Sequence, residues 1–515
     1  MKSMLKLAGI YKKIIVLAIV LLSTVYLGYC ITRSLNWEQK TKPPNIIFIM
    51  ADDLGWQDVG FMGSKWFETP NLDKLSKESM VFTQAYMYPT CSPSRAALLT
   101  GKQSFRTGVY NVPVLERGNA QDNIFSRWTL EKHHTLYSEP LRDIGYKLAH
   151  IGKWHLVGPW PDEEKNYPFK EKLRSDTGGD FSWLENHLSK EVQQYYPTGR
   201  GFQENIGGTW WGDPSRGYIK EYKSKSGGYV APFKNPFINP KESDKWLTDR
   251  LTDEALNFIS KNKEKPFFVN LFYYAPHRPT RARSKELLQK FLNKPGDTIT
   301  GQGEENREEI AAYATMVHSV DENVQRILDY LDKEGLRKNT IIIFTSDNGF
   351  NGLQSTNKRL RSAKGSVYEG GLRVPLLVNW QNKIQPERNA QLISVVDYFP
   401  TFLELAGITN YKKTLDGNSF VPLLKGKKMK ERTLFWHLAS SYKDPPCSII
   451  RKGPWKLIQF LLDGKSELYN IDEDLKETTN LIHKEPEITE ELLNELTSWR
   501  RKNKVPLPPS SQLAY

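Results

Sequence analysis

Cysteine is what this sequence has least of: three in 515 residues, Cys30, Cys91 and Cys447. Cys30 sits in an apolar N-terminal run, which leaves two for the folded body and excludes a disulfide framework as the main source of stability. No Asn is followed two positions on by Ser or Thr, so the chain offers no N-glycosylation acceptor. A long Lys/Arg block interleaved with aromatic residues is also missing. The formal charge of +13 is partly local, because the first 44 residues hold seven basic residues against Glu38 alone. Nucleic acid is therefore not an expected partner, whereas a mildly basic body suits an anionic ligand.

Charge is absent altogether over the 18 residues from Ile14 to Ile31, which follow Lys12 and Lys13. A basic flank and such a run mark an export segment, long for a signal-peptide core and near the minimum of roughly 18 residues for a membrane span. No A-x-A-like cleavage site is visible, and "LGYC" has Tyr29 where a lipoprotein box needs a small residue. Residues 1–31 are read as a signal peptide or an N-terminal membrane anchor, and 32–44, ending in "TKPP", as a linker. Export without sequons or a disulfide framework points to a bacterial periplasm, with the protein anchored or secreted.

Continuous apolar runs follow. "NIIFIM" (Asn45–Met50), "PFFVNLFYY" (Pro266–Tyr274), "TIIIFTS" (Thr340–Ser346) and "PLLVNW" (Pro375–Trp380) have the texture of strands covered on both faces. Between them lies helical periodicity, clearest where Ile310, Tyr313, Ala314, Val317, Val324, Ile327, Leu328 and Leu331 form one stripe that Gly335 stops. Strands alternating with helices predict an α/β fold with a large, mixed, mostly parallel sheet between helices. Past residue 428 the texture changes to short strands, an Asp463-Gly464 hairpin and an amphipathic helix over about 485–502. The expected organisation is thus a main domain over 45–428, a smaller α+β subdomain with an antiparallel sheet over 429–505, and a tail over 506–515.

Two apolar runs end in oxygen donors: "NIIFIMADD" delivers Asp52 and Asp53, and "TIIIFTSDN" delivers Asp347 and Asn348. Either pair alone reads as a helix cap or turn. Ligands of open parallel sheets, however, bind beyond the carboxyl ends of strands, and an all-oxygen set there suits Ca2+ or Mg2+ and not zinc. In "YPTCSPSRAALLTGK", Cys91 opens a predicted helix with Pro93 in its first turn, and Arg95 lies four residues on along the same face. A helix N-terminus favours an anion, yet a thiolate is poor company for a hard cation. "GYKLAHIGKWHL" offers Lys153 and His155 at strand spacing, "YYAPHRP" offers His277 past another strand, and Lys364 stands in the Gly-rich "RSAKGSVYEGGLRVP". Singly each is an ordinary surface group. Together they would ring a divalent cation with positive charge, a pocket for a tetrahedral oxyanion ester.

"CSPSRAALLTG" closely resembles the signature of the formylglycine-dependent type I sulfatases, and "GYKLAHIGKWHL" resembles their second signature. The resemblance extends through "NIIFIMADDLGW", "SVDENVQRILDYL", "SDNGF" and "KGSVYEGGLRVP" to "KGPWKL" and "ELYNI". It departs at Val157, which intervenes before the usual glycine of the second signature. The resemblance implies an alkaline-phosphatase-like fold and a sulfuric-ester hydrolase, similar to bacterial sulfatases that degrade glycans. It implies that a maturation enzyme converts Cys91 to formylglycine, an oxygen nucleophile that removes the objection to sulfur. Asp52, Asp53, Asp347, Asn348 and residue 91 would bind Ca2+ or Mg2+, with Arg95, Lys153 and Lys364 neutralising the sulfuryl oxygens. Asp347 would be the base for attack, His277 the donor to the leaving alcohol, and His155 the base for release of sulfate. Within the same superfamily a phosphonate or phosphodiester hydrolase is the alternative, and an inactive binding relative is the third reading.

For the substrate, the sequence offers Trp210, Trp211 and Asp213 for stacking on sugar faces and gripping hydroxyls. Arg278, Arg281, Arg283, Arg359 and Arg361 suit sulfate or carboxylate. His437 in "FWH" is expected to reach the pocket from the second subdomain. The expectation is a sulfated glycan that loses sulfate from a terminal sugar.

Overall fold

The computed structural model describes residues 42–158, 189–214, 228–233, 235–241, 246–295, 304–351 and 360–513. The export segment, most of the linker and Arg359 lie outside them. No helix among the described residues is long and apolar enough to cross a membrane.

Among the described residues nine strands form one sheet: β1 (Asn45–Ala51), β2 (Met80–Tyr86), β3 (Lys147–Gly152), β4 (Glu204–Ile206), β5 (Phe267–Phe272), β6 (Thr340–Ser346), β7 (Arg373–Trp380), β8 (Glu387–Asn389) and β9 (Ile393–Ser394). Their order is β4-β3-β5-β1-β6-β7-β2-β8, with β9 beside β2. The five strands from β4 to β6 run parallel, and β7 turns antiparallel to β6 and to β2. The sheet is therefore mixed and mostly parallel, as the continuous apolar runs predict.

Alternation along β1 explains why that run lacks a polar face. Ile46, Phe48 and Met50 join one core cluster, while Ile47, Ile49 and Ala51 join another. All six are fully buried, and each large apolar side chain so placed contributes about 1.5–3 kcal/mol. The first cluster takes in α1 (Cys91–Thr100), and the second takes in α2 (Leu247–Asn262) and α3 (Glu304–Lys333). Gly335, with φ +68°, follows α3 as the expected stop.

Four antiparallel strands build a second sheet in sequence order: β10 (Thr433–Leu438), β11 (Cys447–Lys452), β12 (Trp455–Phe460) and β13 (Ser466–Asn470). One face lays Ile450, Leu457 and Leu468 against Leu492 and Leu496 of α4 (Pro486–Asn503). The other gives Trp436, Ile449 and Ile458 to the main core. Gly464 at φ +71° makes the turn between β12 and β13. The final segment packs back on the body, with the Ser510 N–H donating to the Gln121 carbonyl at 2.8 Å.

Because β3, β5, β1 and β6 are neighbours and parallel, their carboxyl ends form one edge. Register places Gly152 and Met50 both opposite Phe272, and Ala51 opposite Ser346. The residues that follow these positions are Lys153, Asp52 and Asp347. The fold has assembled them before any helix is considered.

Candidate active site

At that edge Asp52 and Asp53 leave β1 in a tight turn. Asp53 has φ +63°, a left-handed conformation that Asp tolerates better than most residues, and its N–H donates to Asp347 Oδ1 at 3.2 Å. Tyr313, on the predicted stripe of α3, donates its hydroxyl to the Asp53 carbonyl at 3.1 Å. The α1 helix arrives from the opposite side with all ten residues buried. Cys91 is its first residue and 1% exposed, and its sulfur lies 3.6 Å from Asp52 Oδ1 and 4.0 Å from Asp53 Oδ1.

Two ammonium groups converge on that sulfur, Lys153 Nζ at 3.3 Å and Lys364 Nζ at 3.2 Å. Lys153 also pairs with Asp52 Oδ2 at 2.5 Å and Lys364 with Asp53 Oδ1 at 2.6 Å. Arg95 donates Nε and Nη2 to Asp347 Oδ2 at 3.1 and 2.8 Å, and Nη1 to the Lys153 carbonyl at 2.7 Å. His277 Nε2 lies 3.6 Å from Asp53 Oδ2. Its Nδ1 is 2.6 Å from the Arg278 carbonyl. A carbonyl only accepts, so Nδ1 carries the proton and Nε2 faces the pocket.

Lys153 and His155 are not at strand spacing, as their sequence suggested. The strand ends at Gly152, whose φ is +104° and where a Cβ would sit 1.8 Å from the Phe272 carbonyl oxygen. His155 itself is at φ +62°. Both side chains are nevertheless buried at the site. Gly212 makes room for the imidazole, since a Cβ there would meet Cε1 at 2.4 Å. His155 Nδ1 has no hydrogen-bond partner among the described residues.

Burial and Asp347 push the Asp52 carboxyl up to about 8, against the pull of Lys153 and Arg95. Burial acts the same way on Asp53, but Lys364, His277 and Lys153 outweigh it and hold Asp53 well below the carboxylate range. Burial, reinforced by Asp347, drives the Cys91 thiol up, so an unmodified Cys91 is no thiolate. Burial and then Lys153 lower His277 to about 3, leaving it neutral.

Asp52, Asp53, Cys91 and His277 bring one ligand atom each within 4.8 Å of one another. Asn348 donates Nδ2 to Asp53 Oδ1 at 2.7 Å, while its buried Oδ1 lacks a hydrogen-bond partner among the described residues. Asp53 Oδ2 likewise accepts no hydrogen bond. Orphaned, buried oxygens beside clustered carboxylates fit a hard divalent cation. Asp347, expected in the same set, has Oδ2 committed to Arg95 and Oδ1 to the Asp53 N–H.

The outer residues divide. Trp210 is buried, edge-on to Trp211 at 4.6 Å, and belongs to the core and not to a sugar platform. Trp211 is partly buried and donates Nε1 to Asp213 Oδ2 at 3.0 Å. Arg278 is half exposed next to His277, with Nη2 3.4 Å from Glu309. Arg361 lies over the Tyr368 ring, 3.6 Å from its centroid, and donates to Tyr469. His437 does not reach the pocket. It is fully buried in β10, with Nδ1 2.9 Å from Ser448 Oγ and its ring edge-on to Tyr110. The sequence reading missed Lys443 and Asp444, brought to the Lys364 loop from the β10–β11 connection. Burial lowers Lys443, with Asp444 opposing and Lys364 adding to the shift. Asp444 accepts from Ser366 Oγ and the Val367 N–H at 2.7 and 2.8 Å. "KDPPC" gives only a turn signal, and nothing local announces its partner.

Comparison with known proteins adds to this geometry. The family model described as Sulfatase matches residues 44–408, and that described as N-sulphoglucosamine sulphohydrolase, C-terminal, matches residues 362–502. A sulfatase of Formosa agariphila is 29% identical, covering 90% of each chain. The N-acetylgalactosamine-6-sulfatase of Mus musculus is 31% identical over 77% of this chain and 69% of its own length. Among solved structures, Ps i-CgsB in complex with k-i-k-neocarrahexaose is 28% identical, with a TM-score of 0.68, and covers 91% of this chain and 95% of that one.

Proposed function

This chain belongs to the sulfatase family, and from that premise we propose an exported hydrolase that removes sulfate from a terminal sugar of a sulfated poly- or oligosaccharide. The observation that carries the reading is the convergence of Lys153, Lys364, Asp52 and Asp53 on residue 91, a concentration of buried charge that the fold alone does not require. The names of the relatives, an N-acetylgalactosamine-6-sulfatase and a protein solved with a neocarrahexaose, support a carbohydrate ester.

Asp52, Asp53, Asp347 and Asn348 would hold Ca2+ or Mg2+, which when bound supplies charge stabilisation at the reacting oxyanion. A maturation enzyme would convert Cys91 to formylglycine, whose hydrate supplies the oxygen nucleophile. The chain's own side chains do the rest. Lys153 and Lys364 neutralise sulfuryl oxygens. Arg95 orients Asp347, which accepts the proton of the attacking hydroxyl. An anionic ester bound beside Nε2 favours the doubly protonated form of His277, which then donates its Nε2 proton to the leaving alcohol, and His155 takes up the proton when sulfate is released. Outside this ring, Arg278 and Trp211 meet the flanking sugar, and the N-terminal run directs export or anchors the protein to the membrane.

The test compares kcat/KM for an aryl sulfate, an aryl phosphate and defined sulfated oligosaccharides, using protein made with a competent maturation enzyme. Oligosaccharide turnover should exceed aryl sulfate turnover, and Arg278→Ala and Trp211→Ala should lower only the former. Preference for the phosphate ester would overturn the sulfatase chemistry proposed here. Indifference of all rates to both variants would overturn the glycan assignment.

A further inference from the structure

Lys364 is delivered by a loop whose base is closed by the Gly370 N–H donating to the Arg361 carbonyl at 2.9 Å. Inside the main domain the loop is tied through the Lys364 N–H to the Phe350 carbonyl and the Gly365 N–H to the Pro89 carbonyl. Further supports come from the second subdomain. Glu477, fully buried and at φ +52°, grips both sides of the base. Its carbonyl accepts from Arg361 Nη1 at 2.8 Å, and its Oε2 accepts from the Glu369 N–H at 2.7 Å. Asp444 holds the far side through Ser366 and Val367.

The charge of Glu477 is matched by a network buried between the two sheets. Lys456 on β12 donates to Glu477 Oε1 at 2.8 Å and to Glu369 Oε1 at 3.1 Å. Tyr86 on β2 and Arg373 on β7 complete Glu369 at 2.9 and 3.2 Å. The same base touches the cation arm, since the Gly349 N–H donates to the Gly371 carbonyl directly after Asn348. Arg361 Nη1 and the Tyr368 hydroxyl also donate to Tyr469 and Glu467 at 2.9 and 2.8 Å, so these contacts give a physical purpose to "KGPWKL", "ELYNI" and the acidic residue that follows them. None of the three motifs contributes an atom to the cluster around residue 91.

We propose that Glu477 and Asp444 are positioning residues for Lys364, so that the second subdomain sets the aim of a catalytic lysine carried by the first. The inference rests on the sulfatase reading for the lysine's role, but not for its position. A buried carboxylate on a loop base is stiff because moving the loop would strand both the carboxylate and Lys456 without partners. Loss of that stiffness lets Nζ leave Asp53 and residue 91.

The experiment uses full-length matured protein carrying Glu477→Gln, Asp444→Asn, Lys364→Ala and the two doubles with Lys364→Ala. On an aryl sulfate, each single carboxylate variant should lose roughly 10- to 100-fold in kcat/KM. In the Lys364→Ala background the same changes should cost less than about twofold, because the group they aim is gone. Equal losses in both backgrounds would overturn the proposal. Independently of turnover, acetylation of Lys364 by an acetic anhydride reagent, with acetate as the leaving group, followed by peptide mass analysis, should rise several-fold in Glu477→Gln and Asp444→Asn. Unchanged labelling in both would also overturn it. Asp444 lies on a partly exposed loop, so its variant reports even if Glu477→Gln folds poorly. Wild-type protein that turns over no sulfate ester, yet shows the labelling response, would sink the sulfatase reading and leave the positioning intact.

Discussion

Arg95 and Asp347 are paired with neither side chain exposed, and both Nε and Nη2 of the arginine meet a single oxygen, Oδ2, at 3.1 and 2.8 Å. The third arm, Nη1, donates to the Lys153 carbonyl at 2.7 Å. One guanidinium therefore ties the carboxyl end of β6 to that of β3. Arg95→Ala strands a buried carboxylate and should cost about 3–5 kcal/mol in urea unfolding. Arg95→Lys keeps the charge without the fork, so it should recover part of the stability but little of the turnover. Equal activity of Arg95→Lys and wild type would count against this arrangement.

Cys91→Ala should be inactive while melting close to wild type. It replaces one small buried side chain with another at a helix start and cannot give an aldehyde hydrate. Peptide mass analysis of active protein should find the Cys91 sulfur replaced by an aldehyde oxygen. Full turnover by protein with an intact thiol would end this account of the nucleophile.

Exhaustive chelation should lower activity and the melting temperature together, and Ca2+ or Mg2+ should restore both. A cation at 100 times its dissociation constant adds about 2.7 kcal/mol to the folded state. Asp53→Ala should abolish the thermal response. Restoration by zinc alone would point to a softer ligand set than the oxygens described here.

His150 predicts a loss of stability in acid. Its Nε2 faces the Lys153 carbonyl at 3.1 Å, so that nitrogen carries the proton, and Nδ1 accepts from Asn270 at 3.4 Å. Burial, with Arg95 nearby, lowers it to about 3 from 6.5. The folded chain thus keeps this ring neutral while the unfolded chain protonates it below 6.5. Stability from this residue is complete above that pH and is lost as pH falls toward 3, by up to about 1.4 kcal/mol per unit. Urea unfolding at pH 7 and pH 5 should show a smaller difference for His150→Gln than for wild type. Identical slopes would mean that the ring is charged in the folded state.

Much of the charged cluster around residue 91 is legible because its carriers are continuous apolar strands, and Asp52 and Asp347 stand where such strands must end. Cys91 was legible through its motif and the helix that Pro93 opens. Lys153 and His155 were found for the wrong geometric reason. Strand spacing aligns them, but Gly152 turns the chain at φ +104°, outside the β region, and the strand stops there. Trp210 and His437 misled because burial is a tertiary property, and an aromatic or imidazole in a core has the same letter as one in a pocket. Asp444 and Glu477 lay beyond reach, since their partners are 78 and 108 residues away and joined only when two sheets meet.

The complete enclosure of α1 carries a consequence for the order of events in the life of the chain. Ten consecutive residues, Cys91–Thr100, have no surface to offer a second protein once folding is complete. A catalyst that must read the Cys-Ser-Pro-Ser-Arg stretch can do so only on an extended, still exposed chain. On the maturation proposed for Cys91, folding is then a deadline: molecules that close around an unaltered thiol have missed it. They would pass every test of shape and solubility, and a preparation's specific activity would measure how many arrived in time.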